Sequence, residues 1–520
     1  MIYRLVYPII STPETQGPGQ TMSNDDKASD HIDDSNKQTL TSQCGSDNSD
    51  DKLKEKCAVF GVYNAHSASR EVYFGLYSLQ HRGQESSGIA SSDGSKIHVH
   101  KSNGLVAQVY EEKDFDHLKG EIAIGHNRYS TSGGTLHQHN QPVHRSGDPI
   151  ALAHNGNLPS TKALEVFLTK NSIDIEHLND SEMMYEAVKV EMAKGKSLAD
   201  AVTETYHLFT GAFALLIMSN DELVAIQDPY GIRPLSIGKL NGGFAFSSET
   251  CALDTVNAQF IKDVEPGEMI VASRKALPNG EFKAEIKTYN LVKGERKLDI
   301  FEFVYFARPD SKLLGKRVYE VRQNFGKTLA IENPIKADVV IPVPESAIPA
   351  AIGYSIESGI QYQQGLIKNR YIGRTFIMPD QRLRDKSVQM KLIPVPEVLE
   401  GKRVIVIDDS IVRGTTTGKI VKMLRQAGAK EVHVMISSPP VKYPDFYGIN
   451  TPYQKDLIAA NKTVEEICEY IGADSLSYLS YDGLVRSTGL PESSFNTSMF
   501  NGKYPLDIQE RAEDIKIITL

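Results

Sequence analysis

Val404-Ile405-Val406-Ile407-Asp408-Asp409-Ser410-Ile411-Val412-Arg413-Gly414-Thr415-Thr416-Thr417 holds the plan of the second half of this 520-residue chain. Four successive β-branched residues read as a strand buried on both faces. The strand ends in paired carboxylates, and a loop of glycine and threonine follows and opens a helix. Backbone N–H groups in a tight turn and at a helix N-terminus cradle an anion. Threonine hydroxyls add donors. Asp408 and Asp409, at the carboxyl end of the strand, suit ribose hydroxyls or a water-bridged Mg2+. Paired acids alone are an ordinary strand end before a capped helix; the whole run is what points to a phosphorylated sugar.

Outward from that run, Val339-Val340-Ile341-Pro342-Val343 and Val432-His433-Val434-Met435-Ile436 are further short apolar strands. Helices are predicted near 318–332, 347–358 and 416–427. The alternation is the βαβ rhythm of a parallel, doubly wound sheet. Residues 404–417 closely resemble the phosphoribosyl pyrophosphate motif of the type I phosphoribosyltransferases, and residues 339–351 resemble their upstream strand, loop and helix start. The resemblance implies an α/β parallel-sheet type I phosphoribosyltransferase domain over 300–485. It implies that Asp408, Asp409, Ser410, Arg413, Gly414, Thr415 and Thr416 bind phosphoribosyl pyrophosphate. One Mg2+ per subunit would lie beside Ser346, Asp408 and Asp409, although Ser346 also reads as a helix N-cap. The basic, aromatic and glycine-containing segment from Lys368 to Lys391 reads as a loop, and by the same resemblance as a lid that excludes water.

The first half has another texture. Ala58-Val59-Phe60-Gly61-Val62-Tyr63 reads as a buried strand and residues 70–80 as a helix. Strand-like runs recur at Ile89-Ala90, Ile122-Ala123-Ile124, Ile150-Ala151-Leu152, 212–218, 223–226 and 243–247, with helices near 161–170 and 181–194. Many strands with few helices predict an α+β layered domain ending near residue 290, and the Lys- and Glu-rich residues 272–300 read as a connection. Cys57 opens the first strand. Alone it would be a core cysteine. A cut after Lys56, however, would put a thiol and a new α-amine on one residue. With a pKa near 7.7–8.0, roughly a tenth of that amine is neutral at pH 7 and can act as base for its own thiol.

Leu79-Gln80-His81-Arg82-Gly83-Gln84-Glu85-Ser86-Ser87-Gly88-Ile89-Ala90, Gly125-His126-Asn127-Arg128-Tyr129-Ser130-Thr131-Ser132-Gly133 and Ala153-His154-Asn155-Gly156-Asn157-Leu158 resemble segments of the N-terminal-nucleophile glutamine amidotransferases. The resemblance implies a four-layer αββα domain over 57–290 with Cys57 as nucleophile. It makes residues 153–158 a loop in which the Asn155 side chain and the Gly156 N–H bind the oxyanion. Arg128 would grip the glutamine α-carboxylate and Asp180 the α-amine. Asn155-Gly156 is also a good turn, and Asn179-Asp180-Ser181-Glu182 also an N-cap. Asp228 to Leu235 and Ser247-Ser248-Glu249 are family-like scaffold.

In this order the two resemblances imply a chain that frees ammonia from glutamine and delivers it, through a closed passage, to phosphoribosyl pyrophosphate. The products would be 5-phosphoribosylamine, glutamate and pyrophosphate, at the entry to purine synthesis. Purine nucleotide inhibitors and a homotetramer come with the resemblance. A glutaminase of the same class with another second domain is the first rival, and residues 404–417 oppose it. A non-catalytic phosphoribosyl-pyrophosphate-sensing protein is the second, and the glutaminase motifs oppose that. Some such chains hold a [4Fe–4S] cluster on four cysteines. Here Cys251 matches one of them, while Asp445, Asn496 and Met499 occupy the other positions, so no cluster is expected.

Composition bounds the rest. A formal net charge of −9, with 40% hydrophobic and 24% charged residues, fits a soluble globular chain. It disfavours nucleic acid or an anionic membrane as partner. Cys44, Cys57, Cys251 and Cys468 form no Cys-x-x-Cys pair, which fits a reducing, cytoplasmic setting without disulfides. No apolar run approaches the roughly 20 residues of a membrane span. Polar residues 11–52 predict a disordered leader within 1–56, trimmed from the mature chain or partly bypassed by a start at Met22. Residues 486–520 read as a tail.

Overall fold

Side-chain alternation along the strand Cys57–Tyr63 sorts the first half into layers. In the computed structural model, which describes residues 54–55, 57–128, 139–278, 281–369, 391–451 and 453–515, Ala58, Phe60 and Val62 face the helices Ala68–Ser78 and Thr250–Thr255. Val59 and Tyr63 face a second sheet. The first sheet has seven antiparallel strands in the order Gln259–Asp263, Ser236–Leu240, Gly243–Ser247, Cys57–Tyr63, Ile122–Arg128, Ser86–Ser92 and Ile97–Asn103. The second has five, in the order Phe282–Asn290, Glu268–Ala276, Leu223–Gln227, Ala212–Met218 and Ala151–Asn157. Leu152, Phe213, Leu215 and Ile217 on its outer face pack on the helices Lys162–Lys170, Asp180–Ala193 and Leu198–Thr205. The four-layer αββα order follows from these alternations.

Two sequence readings change here. The charged connection over 272–300 is in large part a hairpin, Glu268–Ala276 paired with Phe282–Asn290 at the sheet edge. Its Lys and Glu side chains suit an edge that faces water. The loop expected over 153–158 is strand as far as Asn157, because Asn155 pairs with Ala214 and Gly156 with Phe213. The polar side chains hid a ladder made by the backbone.

The second half carries four parallel strands in the order Val339–Pro342, Arg403–Asp408, Glu431–Ile436 and Ser475–Tyr478. Ile405, Ile407 and Met435 pack toward the helices Val318–Glu332 and Ile348–Ser358. Val404, Val406, Val432 and Val434 pack toward Thr415–Gln426 and Val464–Ile471. Each such aliphatic side chain contributes roughly 1.5–3 kcal/mol on burial. The first two helices meet backbone to backbone: a Cβ on Gly326 would lie 1.8 Å from the Ala350 carbonyl oxygen, and one on Gly353 2.0 Å from that of Gln323. The tail is not a separate element. The helix Tyr481–Thr488 crosses its expected start, Phe495–Asn496 pairs with Leu298–Asp299, and Phe500 stacks on Phe301 at 5.4 Å. Among the described residues no helix is long and apolar enough to cross a membrane.

Candidate functional site

Register brings the expected glutamine-site residues together. Cys57, the first residue of its strand, pairs across the ladder with Arg128, the last of Ile122–Arg128. Its side chain falls on the same face as Val59, toward the second sheet. Asn155 falls on the facing surface with Ala151 and Ala153. The buried Asn155 Nδ2 donates to Ser248 Oγ at 3.4 Å, and the same oxygen accepts the Val59 N–H at 3.0 Å. One hydroxyl therefore ties the Asn155 side chain to the Cys57 strand. Gly156 has φ +154°, and a Cβ there would lie 2.0 Å from the Ala212 carbonyl oxygen. Only glycine fits this crossing.

Asp180 begins its helix behind Asn179, the N-cap: Asn179 Oδ1 accepts the Glu182 N–H and Glu182 Oε2 the Asn179 N–H, each at 2.9 Å. Asp180 Oδ2 accepts the Leu158 N–H at 3.3 Å, so the carboxylate sits against the end of the Asn155 strand. That strand is held from three sides. Gln141 Oε1 accepts the His154 N–H at 2.7 Å, Ser181 Oγ lies 2.9 Å from His154 Nδ1, and His126 Nε2 lies 3.0 Å from the His154 carbonyl oxygen. Burial pushes His126 down to about 3, so its ring is neutral and donates to that carbonyl. Burial also lowers His154, against the opposing pull of Asp180. The sequence reading missed Gln141, Ser248 and Arg82; the last two stood in quoted motifs, but their burial and aim were not visible, and Gln141 stood in none.

The second cluster lies where the strand Arg403–Asp408 ends. Asp408 Oδ1 accepts the Asp409 N–H at 2.9 Å. Asp409 Oδ2 accepts from Ser346 Oγ at 2.5 Å and Oδ1 from Ser410 Oγ at 2.7 Å. Ser346 is not a helix cap: Ala347 holds that place before Ile348–Ser358, and the Pro344–Glu345 peptide ahead of it is cis. Gly414, at φ +81°, is the N-cap of Thr415–Gln426 and offers the first helical turn no side chain of its own. Arg413, Thr415 and Thr416 border that turn. Two carboxylates and a hydroxyl form a hard-oxygen donor set that fits Mg2+. Among the described residues no three His, Cys, Asp or Glu side chains group to hold a metal.

Residues 129–138 and 370–390, which carry part of the Arg128 motif and most of the expected lid, lie outside the described residues. Cys251 is buried against the Ala68–Ser78 helix, with Sγ 3.9 Å from Ser78 Oγ. Asp445 Oδ1 accepts the N–H groups of Tyr447 and Ile449, and Asn496 Oδ1 that of Ser498. One thiol with an aspartate, an asparagine and a methionine does not fit an iron–sulfur cluster.

A glutamine amidotransferase domain model matches residues 126–255, and a phosphoribosyl transferase domain model matches 318–438. The chain is 46% identical to the amidophosphoribosyltransferase of Synechocystis over 476 residues, 90% of this chain and 94% of the relative. It is 44% identical to that of Bacillus subtilis, covering 88% and 96%. Among solved structures, it matches B. subtilis glutamine phosphoribosylpyrophosphate amidotransferase complexed with ADP and GMP. The TM-score is 0.79 at 43% identity, covering 87% of this chain and 98% of the other.

Proposed function

The chain belongs to the amidophosphoribosyltransferases, and from that premise we propose which of its residues carry each step. It moves the amide nitrogen of glutamine to phosphoribosyl pyrophosphate, giving 5-phosphoribosylamine, glutamate and pyrophosphate, the first committed step of purine synthesis. In our reading the leader is removed after Lys56. The Cys57 α-amine takes the proton from its own thiol, and the thiolate attacks the glutamine amide carbon. Asn155 Nδ2 and the Gly156 N–H meet the oxyanion. Arg128 holds the substrate α-carboxylate and Asp180 its α-amine. The thioester is hydrolysed to glutamate, and ammonia crosses to the second site shielded from bulk water, where it would protonate and lose its nucleophilic pair.

At the second site the N–H groups after Gly414 and the hydroxyls of Thr415 and Thr416 hold the 5′-phosphate, with Ser410 and Arg413 beside them. Asp408 and Asp409 accept from the ribose hydroxyls. With Ser346 they would hold one Mg2+ per subunit, whose contribution is to neutralise the departing pyrophosphate. The enzyme acts as a homotetramer in the cytoplasm, is inhibited by purine nucleotides and carries no [4Fe–4S] cluster. Iron and sulfide analysis finding about four irons per chain would overturn the last point.

The observation that carries this reading is the register that sets Cys57 opposite Arg128 while Asn155 faces it across the sheet gap. The test compares wild type with Cys57→Ser in two assays. Glutamate release dependent on phosphoribosyl pyrophosphate should vanish while ammonia still supports synthesis. Intact mass should show an active chain that begins at Cys57; an active chain with residue 56 attached refutes the amine's role.

A further inference from the structure

Arg82 is a fully buried arginine that no catalytic step above uses. Its Nε donates to the Cys57 carbonyl at 3.4 Å. Its Nη1 reaches Glu249 at 2.5 Å and Glu302 at 3.0 Å, and its Nη2 reaches the other Glu302 oxygen at 2.8 Å. Such a two-pronged grip fixes the plane of the guanidinium as well as its position. Glu249 is itself held by His81 at 2.7 Å, Ser311 Oγ at 2.6 Å and the Arg308 N–H at 2.9 Å. Burial works against charge on both partners, yet the opposite charges keep Arg82 protonated and Glu249 ionised.

Glu302 comes from beyond the glutaminase layers. It opens a single π-helical turn, Glu302–Phe306, a form that often marks functional positions. Arg322, on the helix Val318–Glu332 of the second half, donates to the Phe303 carbonyl inside that turn at 2.7 Å and to the carbonyl of its C-cap, Ala307, at 2.8 Å. Arg322 feels the charges of Asp409 and Glu249. Burial lowers its pKa to about 10, and both acids pull against that. A run of polar contacts thus leads from Arg322 in the second half, through the 302–306 turn, Glu302 and Arg82, to the backbone of Cys57.

We propose that Arg82 is a positioning residue for Cys57 and that Glu302 makes this positioning depend on the second half. In a chain starting at residue 57, the thiol and the amine both hang from one Cα. Rotation about the bond to its carbonyl swings both together, so a donor on the carbonyl oxygen sets the direction of nucleophile and base. Rate falls steeply with misdirection, on the order of 10²-fold for a displacement near 1 Å. The proposal rests on Cys57 being the nucleophile.

The test is Glu302→Gln in the full-length, processed enzyme, which keeps the size of the side chain and removes the charge and one acceptor oxygen. Glutamine-dependent kcat should fall by about tenfold or more. KM for glutamine should stay within about twofold, because Arg128 and Asp180 bind the substrate. Ammonia-dependent synthesis should hold within about twofold, which also reports that the second half is folded. If Glu302→Gln does not fold, Arg82→Lys, which keeps the charge and loses the fork, should give the same split. Equal loss in both assays by a folded variant, a change confined to KM, or no change overturns the proposal. Full glutamine-dependent activity in Cys57→Ser would instead overturn the nucleophile assignment, whatever Glu302→Gln does.

Discussion

The two proposed sites are built in opposite ways. The sugar-phosphate site is local: Asp408, Asp409, Ser410, Arg413, Gly414, Thr415 and Thr416 follow one another along a strand end, a turn and a helix start, and only Ser346 comes from elsewhere. The glutamine site is assembled by register. Cys57, Arg128, Asn155 and Asp180 lie on three strands and a helix from two sheets, and meet only because the ladders align them. A local site is specified by its own loop and survives small shifts elsewhere in the sheet. A register-built site inherits every error in the sheets that carry it.

The sharpest break between the two regions is Cys57→Ser. Glutamine-dependent synthesis should fall by roughly 10³-fold or more, because the weaker oxygen nucleophile inherits a base arranged for sulfur. Ammonia-dependent synthesis should persist. Asp409→Asn is the complementary cut. By removing a charge that Ser346 and Ser410 both address, it should lower both activities together, by about 10²-fold or more. Retention of ammonia-dependent activity in that variant would mean the second site lies elsewhere. Asn155→Ala comes next. Losing one oxyanion donor should cost about 10²–10³ in glutaminase kcat and leave KM for glutamine nearly unchanged. A rise in KM alone would recast Asn155 as a binding residue.

The same contrast explains what the sequence made legible. The run 404–417 carried its strand, its turn and its acids in order, and the structure places them so. The strand at 58–63 was readable from its apolar run, but the αββα layers came only through the family motifs. What escaped depends on partners far away in sequence. The ladder through Asn155–Gly156 looked like a turn because its residues favour turns, and pairing with Ala212–Met218 outweighed that propensity. The hairpin at 268–290 looked like a connection because an edge strand is charged for the same reason a linker is. Ser346 reads as a cap in sequence, but the helix starts behind Ala347 and the Ser346 hydroxyl turns to Asp409, 63 residues away. Arg82 stood in plain view within a family motif, but nothing in one dimension says that Glu249 and Glu302 converge on it.

The smallest effect tests the scaffold of the register-built site. His126 is buried, and its pKa falls to about 3 chiefly through desolvation, while an unfolded histidine titrates near 6.5. Between those values the unfolded chain binds a proton that the folded chain refuses, so stability rises with pH across this window. The contribution is complete above about pH 6.5 and is lost as the pH falls toward 3; by pH 5 it should have removed about 2 kcal/mol. Urea midpoints of the wild type should therefore drop between pH 7 and pH 5. His126→Gln keeps an N–H donor for the His154 carbonyl and cannot take up a proton. It should flatten the slope by that histidine's share, even if its midpoint at pH 7 is lower. An unchanged slope in His126→Gln would mean that the acid sensitivity resides in other groups, with the neighbouring His154 the next to replace. It would also mean that the Asn155 strand is not held by a neutral imidazole.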